Sequence, residues 1–199
     1  MLAKTGSASW AGPMLISDFG GEDPPDEIMS ACFEDVLTGR SQGTGWRLPR
    51  KRGAGAVQLN GPKGKSARTV HGATLWGGNL MMLTSLLGTP WFPQVDGGIL
   101  FLEDVGEHPY RIERMLTQLL HAGVLARQRA ILLGRFTNFQ VYPHDCGFGL
   151  STVVDWLRGQ VKAPIYEGLP FGHVPTKVML PIGAKVDLVV QGEEILLLW

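Results

Sequence analysis

The sequence predicts a mixed α/β fold in which buried strands feed helices and the chain ends in a β-meander. Three observations carry this. Short apolar runs (Val70–Leu75, Ile99–Leu102, Arg129–Leu133 and Pro164–Tyr166) alternate with segments of helical period. In the middle of the chain a strand, an acidic turn and a helix follow one another without a break, over Gly98 to Met115. After residue 176 the pattern changes to apolar stretches between glycine turns, Lys177–Leu180, Lys185–Val190 and Glu194–Leu198.

In chain order, Leu2–Lys4 reads as a helix tail ended by Gly6, Ser9–Trp10 as a short strand, and Ala11–Met14 as a turn. A helix is expected over Asp26–Leu37, with Asp26 as its cap and Ile28, Met29, Cys32, Phe33, Val36 and Leu37 on one face. Residues 39–69 are rich in Gly, Lys and Arg and read as a loop with short strands near Trp46 and Ala56–Leu59. Val70–Leu75 leads to Trp76-Gly77-Gly78-Asn79, then to a helix with Leu80, Leu83, Leu86 and Leu87 ended by Gly88. Paired glycines at a helix entrance let the backbone approach either a ligand or another chain segment. Thr89–Pro93 is a rigid aromatic turn.

The run Ile99–Leu102 stops at Glu103 and Asp104, Gly106 permits a turn, and Pro109 suits the first position of a helix. That helix presents Ile112, Met115, Leu116, Leu119 and Leu120 on one side. The acids therefore sit where α/β proteins commonly place chemistry, or else Asp104 and Glu107 favour a helix N-terminus. After the strand 129–133, a loop over 134–149 precedes a helix at Leu150–Val161. His144-Asp145-Cys146 in that loop is set aside as a metal site, because three adjacent residues rarely chelate one ion.

Composition limits the function. The 199 residues, 44% of them hydrophobic, can bury one good core. Lys+Arg and Asp+Glu are 18 each, which argues against nucleic acid as the main partner. Arg47, Arg50, Lys51 and Arg52 read as a solvated loop. The two cysteines, Cys32 and Cys146, are far apart, which suits a reducing compartment. No apolar run approaches the ~20 residues of a membrane span, and the start lacks a signal-peptide layout. The expected partners include neither nucleic acid nor membrane.

The chemistry points to His173, in a loop after a strand, as a general base, with an acid at another strand's mouth to orient it. The third part would be a nucleophilic Ser, Cys or Thr. No GxSxG and no strand–Ser–helix elbow is present. Ser7 and Ser9 precede a turn, Ser85 lies in an apolar helix, and Cys146 has no supporting layout.

Five blocks carry a family resemblance: Gly12-Pro13-Met14, Gly72 to Leu80, Leu86 to Trp91, Leu102 to Leu116, and Phe171-Gly172-His173. In this order they resemble the LD-carboxypeptidases, or muramoyltetrapeptide carboxypeptidases, a serine peptidase family that includes the microcin-immunity peptidases. The resemblance implies a swivelling β/β/α-type C-terminal domain that supplies the Glu and His of a Ser-Glu-His triad. Those roles fall on Glu103 and His173, with Glu107 the runner-up acid. Trp76, Gly77, Gly78 and Asn79 are expected to border the substrate cleft. Family members release the terminal D-alanine of murein tetrapeptide in the cytoplasm, often as dimers, with no metal or cofactor.

The family's serine belongs to an N-terminal domain upstream of the matched blocks. The chain is therefore expected to be the C-terminal domain of such an enzyme, from a truncated or split reading frame. Residues 1–20 would be a remnant of the interdomain region, 21–199 the domain itself, and the chain alone inactive. Its partner would be the missing domain or a second copy. The alternative, of a different class, is a non-catalytic domain that binds a muropeptide or a protein.

Overall fold

A computed structural model describes residues 2–48 and 68–199. The expected Arg50, Lys51 and Arg52 cluster and the strand at Ala56–Leu59 lie outside the described residues.

The helices are α1 (Leu2–Thr5), α2 (Glu27–Leu37), α3 (Leu80–Ser85), α4 (Pro109–His121) and α5 (Leu150–Gln160). The strands are β1 (Ser9–Ala11), β2 (Gly43–Arg47), β3 (Arg68–Asn79), β4 (Ile99–Val105), β5 (Ala130–Thr137), β6 (Ile165–Glu167), β7 (Leu180–Ile182), β8 (Lys185–Gln191) and β9 (Glu194–Leu198). Seven of them form one mixed sheet in the order β2-β9-β8-β3-β4-β5-β6, and β1 pairs with β7 separately. From β3 to β6 the neighbours are parallel; β8, β9 and β2 are added antiparallel.

β3 joins the two halves. Its first part pairs with β8 and its last five residues, Leu75–Asn79, pair with Ile99–Glu103 of β4. Because side chains alternate across a strand, the central strands feed two cores. Trp76, Leu100, Leu102, Ile131 and Leu133 meet the apolar faces of α3, α4 and α5. Leu75, Ile99, Phe101 and Leu132 meet Val186, Leu188 and Leu197 on the opposite face. Each fully buried aliphatic side chain contributes about 1.5–3 kcal/mol relative to exposure.

Several expectations change in detail. The strand at Ile99 does not stop at the acids but runs through Glu103 and Asp104, both buried, to Val105. Gly77 and Gly78 lie within β3, which continues to Asn79, the cap of α3; the expected helix follows directly but is only six residues long. A Cβ on Gly77 would overlap the Phe101 carbonyl oxygen, so this glycine allows β3 and β4 to approach. Of the closing apolar stretches, β8 and β9 form a hairpin, whereas Leu180–Ile182 leaves the main sheet for β1. On α2 only Met29 is buried; Ile28 and Leu37 lie largely exposed.

Asp26 does cap α2, accepting from Met29 N at 2.8 Å, and its other oxygen accepts from the Thr176 hydroxyl at 2.6 Å. The Thr176 hydroxyl and the Met29 N–H hold its carboxyl below the usual range. A lowered pKa contributes stability above the unfolded-state value and loses it as pH falls through the folded one. Asp26→Ala is therefore expected to lower Tm by a few degrees at pH 7. That difference should shrink as the wild type is titrated below pH 4, about the ordinary Asp value, in a thermal melt series.

Candidate active site

The parallel strands end together, and their carboxyl ends carry the polar groups, as in other open α/β sheets. β4 ends with two acids of opposite orientation. Asp104 faces the helices. Its Oδ2 accepts from Met81 N at 2.9 Å, and its Oδ1 from Asn79 Nδ2 at 3.2 Å and from Val105 N at 2.8 Å. Asn79 Oδ1 in turn caps α3 by accepting from Met82 N at 3.0 Å. Asp104 thus fastens the start of α3, not the helix that follows its own strand.

Glu103 faces the other way and is 5% exposed. Its Oε2 lies 3.4 Å from His173 Nδ1, while the His173 side chain keeps 42% of its surface open. Burial pushes the Glu103 carboxyl above its ordinary value, and the nearby Asp104 charge adds to this. The Asn79 amide and the His173 imidazole oppose the shift without cancelling it.

The sign of this shift matters for stability. A raised carboxyl pKa makes the folded state bind its proton more tightly than the unfolded state does. Stability then falls as pH rises from the ordinary Glu value through the raised one, and the penalty persists above it. Glu103→Gln removes the charge and is expected to raise Tm by a few degrees at pH 8. The gain should fade at acidic pH, where the wild-type carboxyl is protonated.

The segment carrying His173 runs beside β5 like an added strand. Leu169 N donates to Leu133 O at 3.2 Å, Arg135 N to Phe171 O at 2.8 Å, and Thr137 Oγ1 to His173 O at 3.4 Å. From the other side, Lys177 Nζ donates to both Asp18 oxygens at 2.7 Å, a pair with side chains 5% and 10% exposed. Asp18 lies in a single π-helical turn, Leu15–Phe19, and also accepts from Met14 N. With Asp26–Thr176, this ties the first 26 residues to the segment just after His173.

A second carboxylate–imidazole pair lies nearby, and both of its ring nitrogens are used. His108 Nδ1 accepts from Tyr110 N at 3.3 Å at the start of α4, so Nε2 carries the proton and donates to Asp145 Oδ2 at 3.1 Å. Tyr142 N donates to the same oxygen at 2.7 Å. His108 and Asp145 therefore brace a loop against a helix and leave no free base. Glu107 pairs with Arg111 at 3.6 Å, one turn along the helix. Among the described residues no group of three or more His, Cys, Asp or Glu is placed to hold a metal ion.

The expected cleft residues separate. Trp76 is 1% exposed, donates from Nε1 to Gln128 Oε1 at 2.9 Å and packs edge-on against Phe92; it is a core residue. Gly77 and Asn79 line a cavity of about 300 Å³ with Leu83, Trp91 and Ile182. Asn79 pairs in register with Glu103, but neither Glu103 nor His173 lines this cavity. Among the described residues no Ser, Thr or Cys side chain is hydrogen-bonded to the His173 ring. Sequence reasoning missed Asp18, Lys177 and Arg135. The first two meet 159 positions apart, with no local signal. Arg135 had one: Gly134 inside an apolar strand is a bulge signature.

The family model described as the LD-carboxypeptidase C-terminal domain matches residues 72–188. A putative carboxypeptidase of Synechocystis is 38% identical over 158 residues, covering 77% of this chain and 52% of the relative. A probable murein peptide carboxypeptidase of Bacillus subtilis is 39% identical over 185 residues, covering 93% and 54%. The crystal structure of muramoyltetrapeptide carboxypeptidase from Oxalobacter formigenes superposes with a TM-score of 0.82 at 39% identity, covering 98% of this chain and 62% of that one. The chain thus spans about half the length of the curated relatives it matches. Its mixed sheet with α3, α4 and α5 packed on one face is the LD-carboxypeptidase fold, and no helix among the described residues is long and apolar enough to cross a membrane. On these grounds the chain belongs to the LD-carboxypeptidase family, matching it through the C-terminal domain.

Proposed function

We propose that this chain is the base-supplying half of a serine LD-carboxypeptidase that releases terminal D-alanine from murein tetrapeptide in cytoplasmic cell-wall recycling. The observation that carries the reading is the buried Glu103 carboxylate 3.4 Å from the half-open His173 ring at the carboxyl end of the parallel strands. His108 and Asp145 share the same chemistry but have no free nitrogen.

In the proposed mechanism Glu103 accepts from His173 Nδ1–H and fixes the tautomer. Nε2 is then left bare to take the proton of a serine hydroxyl as that oxygen attacks the scissile carbonyl. The buried carboxylate stabilises the imidazolium formed in that step, and the imidazolium returns its proton to the leaving amine of D-alanine. Water then enters by the same route and releases the shortened peptide. The 3.4 Å separation is long for this bond and would tighten when substrate excludes water. The serine and its oxyanion donors would come from a partner segment, which the greater length of the relatives supports. The Gly77–Asn79 end of β3 would border the peptide. Residues 1–20 would then join the two halves, and 21–199 form the half described here.

The test is D-alanine release from L-Ala-γ-D-Glu-meso-diaminopimelate-D-Ala. The chain alone should give no measurable turnover. Adding a serine-bearing N-terminal half from the family should give activity. Cleavage by the pure chain that His173→Ala removes would place a nucleophile within it. Silence in both cases would favour a domain that only binds muropeptide or protein.

A further inference from the structure

Between Leu102 and Asp104 the ladder to β5 shifts register: Leu102 faces Leu133, but Asp104 faces Phe136. Gly134 and Arg135 together therefore oppose Glu103, which is a β-bulge. Bulges beside active sites re-aim a side chain. Two glycines mark what the bulge accommodates. A Cβ on Gly134 would lie 2.7 Å from the Phe171 carbonyl oxygen and 3.2 Å from Glu103 Cβ. A Cβ on Gly172 would lie 3.2 Å from Glu103 Oε2 and 3.3 Å from Arg135 Cβ. Gly172, which a Cβ would also bring 3.0 Å from the Arg135 carbonyl oxygen, thus lets the backbone just before His173 pass close to both the Glu103 carboxylate and the root of Arg135.

Arg135 is exposed, and among the described residues no carboxylate is within ion-pair distance of it. Three other cations are committed. Arg111 is held by Glu107, Arg158 by Asp155 and Glu167, and Lys177 by Asp18. A guanidinium offers a planar fork matched to a carboxylate, and such charge-assisted pairs are about twice as strong as neutral hydrogen bonds.

We propose that Arg135, turned by the Gly134–Arg135 bulge to the face of Glu103 and His173, binds a carboxylate of the peptide substrate and sets its register against the base. The inference rests on the hydrolytic reading above. Murein tetrapeptide carries two carboxylates next to the scissile bond, one on the terminal D-alanine and one on the diaminopimelate side chain. Both present the same chemistry to Arg135.

The experiment compares three substrates with the chain and a serine-bearing half together. These are the tetrapeptide, its C-terminal amide, and the analogue with lysine in place of diaminopimelate. The wild type should prefer the tetrapeptide over whichever analogue lacks the contacted carboxylate. Arg135→Gln should reduce that preference at least about 10-fold, the loss falling on KM while kcat stays within about 3-fold, and Arg135→Lys should restore part of it. Loss confined to the amide comparison identifies the terminal carboxylate, and loss confined to the lysine comparison the side-chain one. Arg135→Gln that is folded by its melting curve yet keeps KM and both preferences would overturn the assignment and leave the hydrolytic reading standing. Failure of the wild-type mixture to release D-alanine from any of the three would overturn both.

Discussion

His173→Ala is expected to reduce D-alanine release by the assembled enzyme by about 10⁴-fold or more, and Glu103→Gln by about 10³–10⁴-fold, in a steady-state assay with tetrapeptide. The imidazole does two jobs in the proposed cycle, taking the serine proton and protonating the leaving amine. The neighbouring His108 cannot substitute, because both of its ring nitrogens are occupied. Glu103→Gln leaves the shape intact but removes the carboxylate that selects the tautomer and offsets the imidazolium charge. The loss should appear in kcat with KM little changed, since neither group contributes uniformly to ground-state binding. Combined with the stability gain at pH 8, this makes Glu103→Gln a variant that is firmer and nearly inactive. An activity loss below 10-fold for either change would remove the pair from the proposed mechanism.

The second large effect is structural. Gly77→Ala is expected to destabilise the fold by about 3–5 kcal/mol or to prevent recovery of folded protein, measured by urea unfolding. Two costs add. The new methyl group would overlap the Phe101 carbonyl oxygen in the middle of the β3–β4 ladder, and Gly77 has φ +129°, where an L side chain is strained. Gly78 separates these costs: its φ is +134°, but a Cβ there meets nothing within 4 Å. Gly78→Ala should therefore cost only about 1–3 kcal/mol, the strain alone. Equal effects at the two positions would mean that backbone strain dominates and that close strand approach matters little.

The legible parts of the sequence were those governed by short-range pattern. Pro109, the spacing of Ile112, Met115, Leu116 and Leu119, and the cap at Asp26 each act within a few residues, and each forms the element it signals. The apolar runs at Ile99 and Arg129 marked buried strands because parallel strands between layers are apolar on both faces. Their ends were not legible. Glu103 and Asp104 look like strand terminators until their partners are seen, and those partners (Asn79, Met81 and His173) come from distant segments. The Gly77-Gly78 pair read as a helix entrance, and α3 does follow it, but the sequence left open whether the glycines approach a ligand or another chain segment. Here one of the two makes room for a neighbouring strand's carbonyl. Nothing local indicates that Lys177 is buried against Asp18, or that Trp76 turns its indole to Gln128. The juxtaposition of Glu103 and His173, 70 positions apart, was reached through resemblance and not through spacing.

The most direct test of the account is nitrogen-detected NMR of His173 in the intact chain at pH 8. If Glu103 orients this ring as a base, Nδ1 carries the proton and Nε2 is bare. Glu103→Leu should then abolish that preference while leaving His108, with its proton on Nε2, as an internal reference. A wild-type His173 protonated on Nε2, or a tautomer balance unmoved by Glu103→Leu, would contradict the claim that the two residues form a base poised for an incoming nucleophile.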